Sequence, residues 1–339
     1  MNGAEPRVLL VAEFDEGLHA HSALRRRALE RLGCKVDTFD LRGRGGLLTR
    51  LRGGSLIERL RDAIARAAPQ LVLVTGGSVL GVGAVESLRR DSYAAWANLL
   101  PGDPDGSAGV PAPDLAAAYD VLFVPDSALA TRLRTLGHAR ATYLPFACDP
   151  SVHRPMHSRD QFRANVVFVG GATPYRETML AGLAEFGLAV WGPGWRKTGL
   201  RDYCRGETLS MAEYVKAYAG ASVAVNLHRE DAGASREIGC NQRTFEIAAI
   251  GVAQVTGARG DLARHFEPFQ EVLVYEDAAG LRSLVEDALH AQAAAEQLAA
   301  AARRRALGEH THMHRMRTLL DAVTPLTVAG GAPGGSAPG

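Results

Sequence analysis

Short apolar runs of strand length alternate with longer stretches of helical spacing along most of the chain, a pattern that predicts βα units and parallel sheets. Arg7 to Phe14 reads as the first strand, and Leu24, Ala28, Leu29 and Leu32 place a helix over His21 to Leu32 that stops at Gly33. Lys35 to Leu41 is a second strand. After a Gly/Arg-rich loop (Arg42 to Gly54), Ser55 and Glu58 have the spacing of a capping box ahead of Leu60, Ile64 and Ala67. Leu71 to Val74 is an unbroken apolar strand, as suits a parallel sheet covered on both faces. A glycine turn at Gly76 and Gly77, a helix through Val85 and Leu88 and a weaker strand at Tyr93 to Leu99 follow. Pro101 to Pro113 reads as an irregular surface loop, ahead of a strand at Val121 to Val124, a helix at Ser127 to Leu136 and a strand at Ala141 to Phe146. These strands predict one doubly wound domain over residues 1–155.

Cys148 to Asn165 lacks periodicity and contains Pro150 and Pro155, which marks an interdomain linker. The alternation then restarts. Val166 to Gly171 is a strand ending in two glycines, Thr173 and Pro174 supply an N-cap and a first-turn proline, and Leu188 to Trp191 leads into the loop Gly192 to Lys197. Ser210 and Glu213 form a second capping box, Ser222 to Leu227 is a strand, and Asn241 to Ile250 is a helix closed by Gly251. Val252 to Thr256, a short helix at Asp261 to Phe266, Glu271 to Tyr275 and one long Ala-rich helix from Ala278 to about Leu307 complete a second domain over residues 156–309. His310 to Val323 predicts a separate helix, and the Gly/Pro/Ala/Ser-rich residues 324–339 predict disorder.

Composition narrows the classes of function. The 339 residues are 47% hydrophobic and 22% charged with a formal charge of +1, so no global field points to nucleic acid or to a membrane surface. Cys34, Cys148, Cys204 and Cys240 are too widely spaced for a zinc or dithiol motif, and free thiols in a reducing cytoplasm are the simplest reading. No leader-like segment and no apolar run of membrane-spanning length is present in the sequence.

Candidate chemistry gathers at the predicted carboxyl ends of the second domain's strands, where open parallel sheets bind ligands. Gly170 and Gly171 end one strand and Arg176 opens the next helix; Arg196 and Lys197 follow another strand; Asn226, His228 and Arg229 end a third. Asn241, Gln242, Arg243 and Glu246 begin the helix after that, with Arg243 and Glu246 three apart on one face. Amides at a helix start and guanidinium groups suit a diphosphate, and a carboxylate suits ribose hydroxyls. The plainer reading of Arg243 and Glu246 is a surface ion pair. Gly192 to Thr198 lacks the frame of a Walker loop, Gly76 to Gly83 misses the dinucleotide spacing, and His310, His312 and His314 suit packing and capping better than zinc.

Several of these stretches resemble one family. Tyr143 to Asp149, Val167 to Gly170, Tyr218 to Ser222 with Val225 to Leu227, Arg243 to Ala248 with Gly251, Val274 with Tyr275, and His310 and Thr311 with Arg315 are similar to the CgeB-like, spore-maturation type of GT-B glycosyltransferase. They cover the second domain well and the first thinly. The resemblance implies two Rossmann-like α/β domains facing across a cleft, with the last helix crossing back to the first. It also implies a nucleotide-diphosphate sugar (UDP-, GDP- or dTDP-linked) held by the second domain, Glu246 holding the donor ribose, and the amides of Asn241, Gln242 and Arg243 facing the diphosphate. The acceptor, which the sequence does not identify as small molecule, glycan or protein, would meet the first domain. There His19, His21 and Asp15 follow the first strand and Asp103 with Pro104 resembles an Asp-Pro element, which makes His19, His21 and Asp103 the catalytic candidates. No metal and no separate cofactor is implied. Many retaining relatives carry a glutamate eight residues before the ribose-binding one; Ile238 stands there, with Glu237 one residue off, so the stereochemical course stays open. A non-catalytic GT-B-fold binding or coat protein, and a nucleotide-sugar epimerase or hydrolase of the same fold, are the alternatives.

Overall fold

The computed structural model describes residues 5–14, 21–42, 55–76, 80–100, 117–228 and 238–329. Its first half contains β1 (Arg7–Ala12), α1 (His21–Arg31), β2 (Lys35–Asp40), α2 (Leu56–Ala67), β3 (Leu71–Thr75), α3 (Val82–Arg90), β4 (Ala95–Leu99), β5 (Val121–Val124), α4 (Ser127–Thr135) and β6 (Ala141–Tyr143). The strands pair in parallel in the order β2-β1-β3-β4-β5-β6. Alternate residues supply the two faces. Leu9, Val11, Val72 and Val74 pack into one core, and Val8, Leu10, Leu71 and Leu73 into another. The edge strand β2 keeps Lys35, Asp37 and Thr38 in solvent, which discourages pairing with another chain.

The second half contains β7 (Ala164–Val169), α5 (Pro174–Ala181), β8 (Leu188–Trp191), β9 (Cys204–Gly206), α6 (Met211–Ala219), β10 (Ala221–Asn226), α7 (Gln242–Ile250), β11 (Ala253–Gly257), β12 (Leu273–Tyr275), α8 (Ala278–His290), α9 (Gln292–Glu309) and α10 (His312–Ala329). Its parallel sheet runs β12-β11-β10-β7-β8-β9, the Rossmann order, in which the chain reverses direction of travel between β7 and β10.

Local signals set these boundaries. The capping boxes at Ser55/Glu58 and Ser210/Glu213 both form, Thr173 caps α5 with Pro174 at its start, and Asn241 caps α7 through Thr244 N–H. Three expectations are corrected and one strand is added. The long Ala-rich helix breaks at Ala291 (φ −103°, ψ 54°), because α8 packs on the sheet through Leu281 and Val285 while α9 turns to lay Ala302 and Ala306 on α7. β6 stops at Tyr143, two residues before Pro145, which has no N–H for the ladder. β9 went unpredicted; its three residues are too few to show a period. Finally, residues 324–329 continue α10 rather than forming a disordered tail: Thr324 Oγ donates to Leu320 O, and Leu326 packs against the first sheet's core. Residues 330–339 lie outside the described residues.

The chain passes between the halves twice, and the crossings lie side by side. Cys148 N–H donates to His310 O (2.9 Å) and His312 N–H to Cys148 O (2.9 Å), so the outgoing segment forms a bridge with the returning one. Beyond it α10 buries Met316, Leu319 and Val323 against Val8, Leu10 and Leu29 of the first half. No described helix is long and apolar enough to cross a membrane.

Candidate active site

In an open parallel sheet the ligand crevice opens where the strand order reverses, here between the carboxyl ends of β7 and β10. Gly170 and Gly171 follow β7. A Cβ at Gly192 (φ 133°) would come within 2.3 Å of Gly170 O, so glycine is needed there for the β8 loop to lie against the end of β7. Trp195 Nε1 fixes that loop by donating to Gly170 O at 2.8 Å.

Two arginines meet in the crevice over one aromatic ring. Arg176 lies 5.4 Å and Arg243 5.9 Å from the centroid of Phe168. Arg176 Nη1 donates to Gly171 O (2.9 Å) and Arg243 Nη2 to Leu227 O (2.8 Å), while Arg243 Nε reaches Asn226 Oδ1 at 3.2 Å. Asn226 is fully buried and donates to Asn241 Oδ1, Thr244 Oγ1 and Gln254 Oε1 at 3.0–3.1 Å. Asn241 Nδ2 returns a bond to Asn226 Oδ1 (2.9 Å). This network clamps the start of α7 to the end of β10, and Asn226 and Asn241 are spent in building it. The structure therefore brings Gly170, Gly171, Arg176, Asn226, Asn241 and Arg243 together. Arg196 and Lys197 stand apart from them: both are exposed, and Arg196 faces Glu207 beyond β9 at 3.9 Å.

Glu246 is not part of a surface ion pair. It is 4% exposed; Oε2 accepts from Tyr214 Oη (2.6 Å), Oε1 from Gln242 Nε2 (3.1 Å), and His153 Nε2 stands 3.4 Å from Oε1. Burial alone pushes this carboxyl up, but His153, His21 and the bonds from Tyr214 and Gln242 outweigh it and hold the group below the usual glutamate range. Gln242 also donates to Ala147 O, so the start of α7 is tied to the segment linking the halves. His21, at the start of α1, is half-buried, and its charge bears on both Glu246 and His312. His19, Asp103, Asp15, Arg229 and Glu237 lie outside the described residues.

Just ahead of α7 the two halves exchange caps. Ile238 and Gly239 N–H donate to Asp126 Oδ2 at 2.6 and 2.8 Å, while Asp126 Oδ1 caps α4 through Leu129 N–H (2.7 Å). In return Asp261 accepts from Ser127 N–H (2.9 Å) and from the Ser127 hydroxyl. Ile238, eight residues before Glu246, thus contributes its backbone. Of the three histidines near the start of α10, His310 edges onto Phe245 and His265, His314 meets Thr311, and His312 is buried.

Sequence reasoning missed His153, Tyr214, Asp126, Asp261 and Arg259, the last of which bears with its charge on the buried His228. The first four act through partners far away in the chain. Arg259 had a local signal, the Gly257 to Gly260 turn straight after an apolar strand.

Comparison with known proteins accords with this geometry. Residues 176–321 match the family model described as glycosyl transferase-like. Among solved structures, the fold resembles sucrose-phosphate synthase of Thermosynechococcus elongatus (TM-score 0.70, 15% identity, 96% of this chain and 100% of that one). It also resembles HepE of Anabaena in complex with UDP and glucose (0.65, 10%, 94% and 100%) and a glycosyltransferase of Rickettsia africae (0.65, 9%, 95% and 99%). No curated protein sequence matches the chain. The chain thus carries a region similar to glycosyl transferases within a fold of the GT-B type.

Proposed function

We propose that this protein transfers a sugar from a nucleotide-diphosphate sugar to an acceptor hydroxyl or amine, that it does so without a bound metal, and that it falls in the CgeB-like branch suggested by its motifs. The observation that carries the reading is the crevice at the strand reversal, where Arg176, Arg243 and the start of α7 converge beside Gly170 and Gly171. As the bond from the sugar's anomeric carbon to the β-phosphate oxygen breaks, negative charge collects on the departing diphosphate. Guanidinium groups and the positive end of a helix stabilise that charge where it forms. The acceptor oxygen or nitrogen takes the anomeric carbon and gives up its proton; His21 of the first half, whose charge bears on Glu246, is the candidate among the described residues to receive it. UDP accompanies HepE in its complex, which makes UDP-sugars the first donors to test.

Transfer is expected to continue in excess EDTA, since arginines supply the positive charge. Loss of activity in EDTA that manganese or magnesium restores overturns the metal-independent reading. The two leading side chains should separate by ligand. Arg243→Ala should weaken UDP far more than uridine, with the gap narrowing at high salt. Glu246→Gln, which preserves volume, should weaken uridine as well, by about ten- to a hundredfold for one charged hydrogen bond to ribose. Calorimetry with uridine, UMP and UDP reads both. Unchanged uridine affinity in a folded Glu246→Gln variant would remove ribose from the carboxylate's role and leave it as the group that positions Gln242 and Tyr214.

A further inference from the structure

We infer that His228 is a binding residue for the leaving diphosphate: an uncharged imidazole whose Nδ1–H donates to a phosphate oxygen beside the start of α7. This rests on the nucleotide-sugar reading and adds to it a residue outside the arginine pair. His228 follows Leu227, whose carbonyl oxygen accepts from Arg243 and lies 3.4 Å from Arg176 Nη2, and its ring is 3% exposed. Its Nε2 accepts the N–H of Asn241, the cap of α7, at 3.3 Å. A nitrogen that accepts carries no proton, so this bond places the ring proton on Nδ1. Among the described residues Nδ1 has no hydrogen-bond partner, although it is buried.

The surroundings decide which ligand atom suits that donor. Burial, with Arg259, Arg243 and Arg176, pushes His228 well below the usual histidine range, so the ring stays neutral wherever the protein is folded near neutral pH. These arginines come from three different places in the chain, α5, α7 and the turn after β11, and the charge of each bears on this one imidazole. An acceptor entering here therefore meets guanidinium charge and the amides at the start of α7 as well as Nδ1–H. A phosphate oxygen meets all three requirements: it is anionic, it accepts only, and it has lone pairs for several donors. A carbonyl or sugar hydroxyl would satisfy the imidazole but leave the surrounding positive field unanswered. Because the donor is neutral, its contribution to diphosphate binding should not titrate between pH 6 and 8.

Two substitutions separate a ligand contact from a purely internal one. In His228→Gln the amide oxygen reaches the Nε2 position and keeps the bond to Asn241 N–H, but the Nδ1 donor is lost. In His228→Asn the amide nitrogen falls near Nδ1, and the bond to Asn241 is lost. The proposal expects parent affinity for UDP well above that for uridine, a loss of tenfold or more in UDP affinity for His228→Gln with uridine unchanged, and a loss under about threefold for His228→Asn. The reverse order, with His228→Gln like the parent and His228→Asn weakened for both ligands, overturns it and assigns the ring to holding Asn241 alone. Melting curves of both variants exclude misfolding. Failure of the parent to prefer any of UDP, GDP or dTDP over its nucleoside would instead strike the nucleotide-sugar reading itself, and this inference with it.

Discussion

A chain ending at Glu309 is expected not to fold its first half. The deletion removes Met316, Leu319 and Val323, which are 1%, 0% and 2% exposed and complete the face formed by Val8, Leu10, Ala28 and Leu29. Full burial of three such side chains contributes roughly 5 to 9 kcal/mol, close to the whole stability of an ordinary domain. The deletion also removes Arg315, which donates to Pro145 O (2.9 Å) and Phe146 O (3.1 Å) at the first crossing. A chain ending at Val323 should instead fold and melt slightly early, having lost Leu326 and the last turns of α10. One ending at Ala329 should melt with the parent, since residues 330–339 hold nothing larger than proline. Circular dichroism melts of the three truncations test the order. Equal melting of the Glu309 and Ala329 chains would refute the docking of α10.

The second large effect is acid sensitivity set by two buried histidines. His265 is pushed down to about 3, first by burial and then by His310, Arg315, Arg264 and Arg305. His310 is pushed down to about 4 by burial and Arg315, against partial support from its bond to His265 O and from Glu309. Tyr143 Oη, 2.6 Å from His265 Nε2, closes the group from the first half. Both folded values lie below the unfolded one, so the unfolded chain takes up protons first. Stability is complete above about pH 6.5 and falls as pH drops toward the folded values. Between pH 7 and 5 each histidine should cost roughly 2 kcal/mol, and the two together lower the melting temperature by on the order of 5–10 °C. His310→Gln and His265→Gln should be less stable at pH 7 yet show a flatter dependence on pH. A slope equal to the parent's in both variants would mean that other groups govern the acid transition.

How much of this was legible in the sequence depended on the range of the interaction concerned. Helix starts were readable because cap and partner lie within three residues, as at Ser210 with Glu213 and Asn241 with Thr244. The strand reversal was readable in outline, since unbroken apolar runs such as Leu71 to Val74 and Val166 to Val169 imply parallel sheets, and such sheets bind ligands at one end. Glu246 was picked out by its place in α7, but its burial was not, because Tyr214 comes from α6 and His153 from the linking segment. In the sequence Asn226 reads as a ligand group, whereas Asn241 and Thr244 at the start of α7 and Gln254 of β11 consume its amide. The break at Ala291 carries no glycine or proline to announce it. Residues 324–329 were misread because Pro325 and the small residues beyond it outweighed Leu326, whose partner lies in a sheet formed by the opposite end of the chain.

The paired crossings at Cys148 and His312 bear on how such a protein can be recombined. The half built on β1 to β6 is not one contiguous cassette of sequence, because its outer layer is written after the other half has been completed. An exchange made only at the linker would join an incoming sheet to a foreign α10 and set a mismatched surface against Val8, Leu10 and Leu29. A chimera that carries the chain up to the crossing at Cys148 together with α10 keeps Val8, Leu10 and Leu29 with their own covering helix, and recombination between relatives should succeed best where both cuts are made at once.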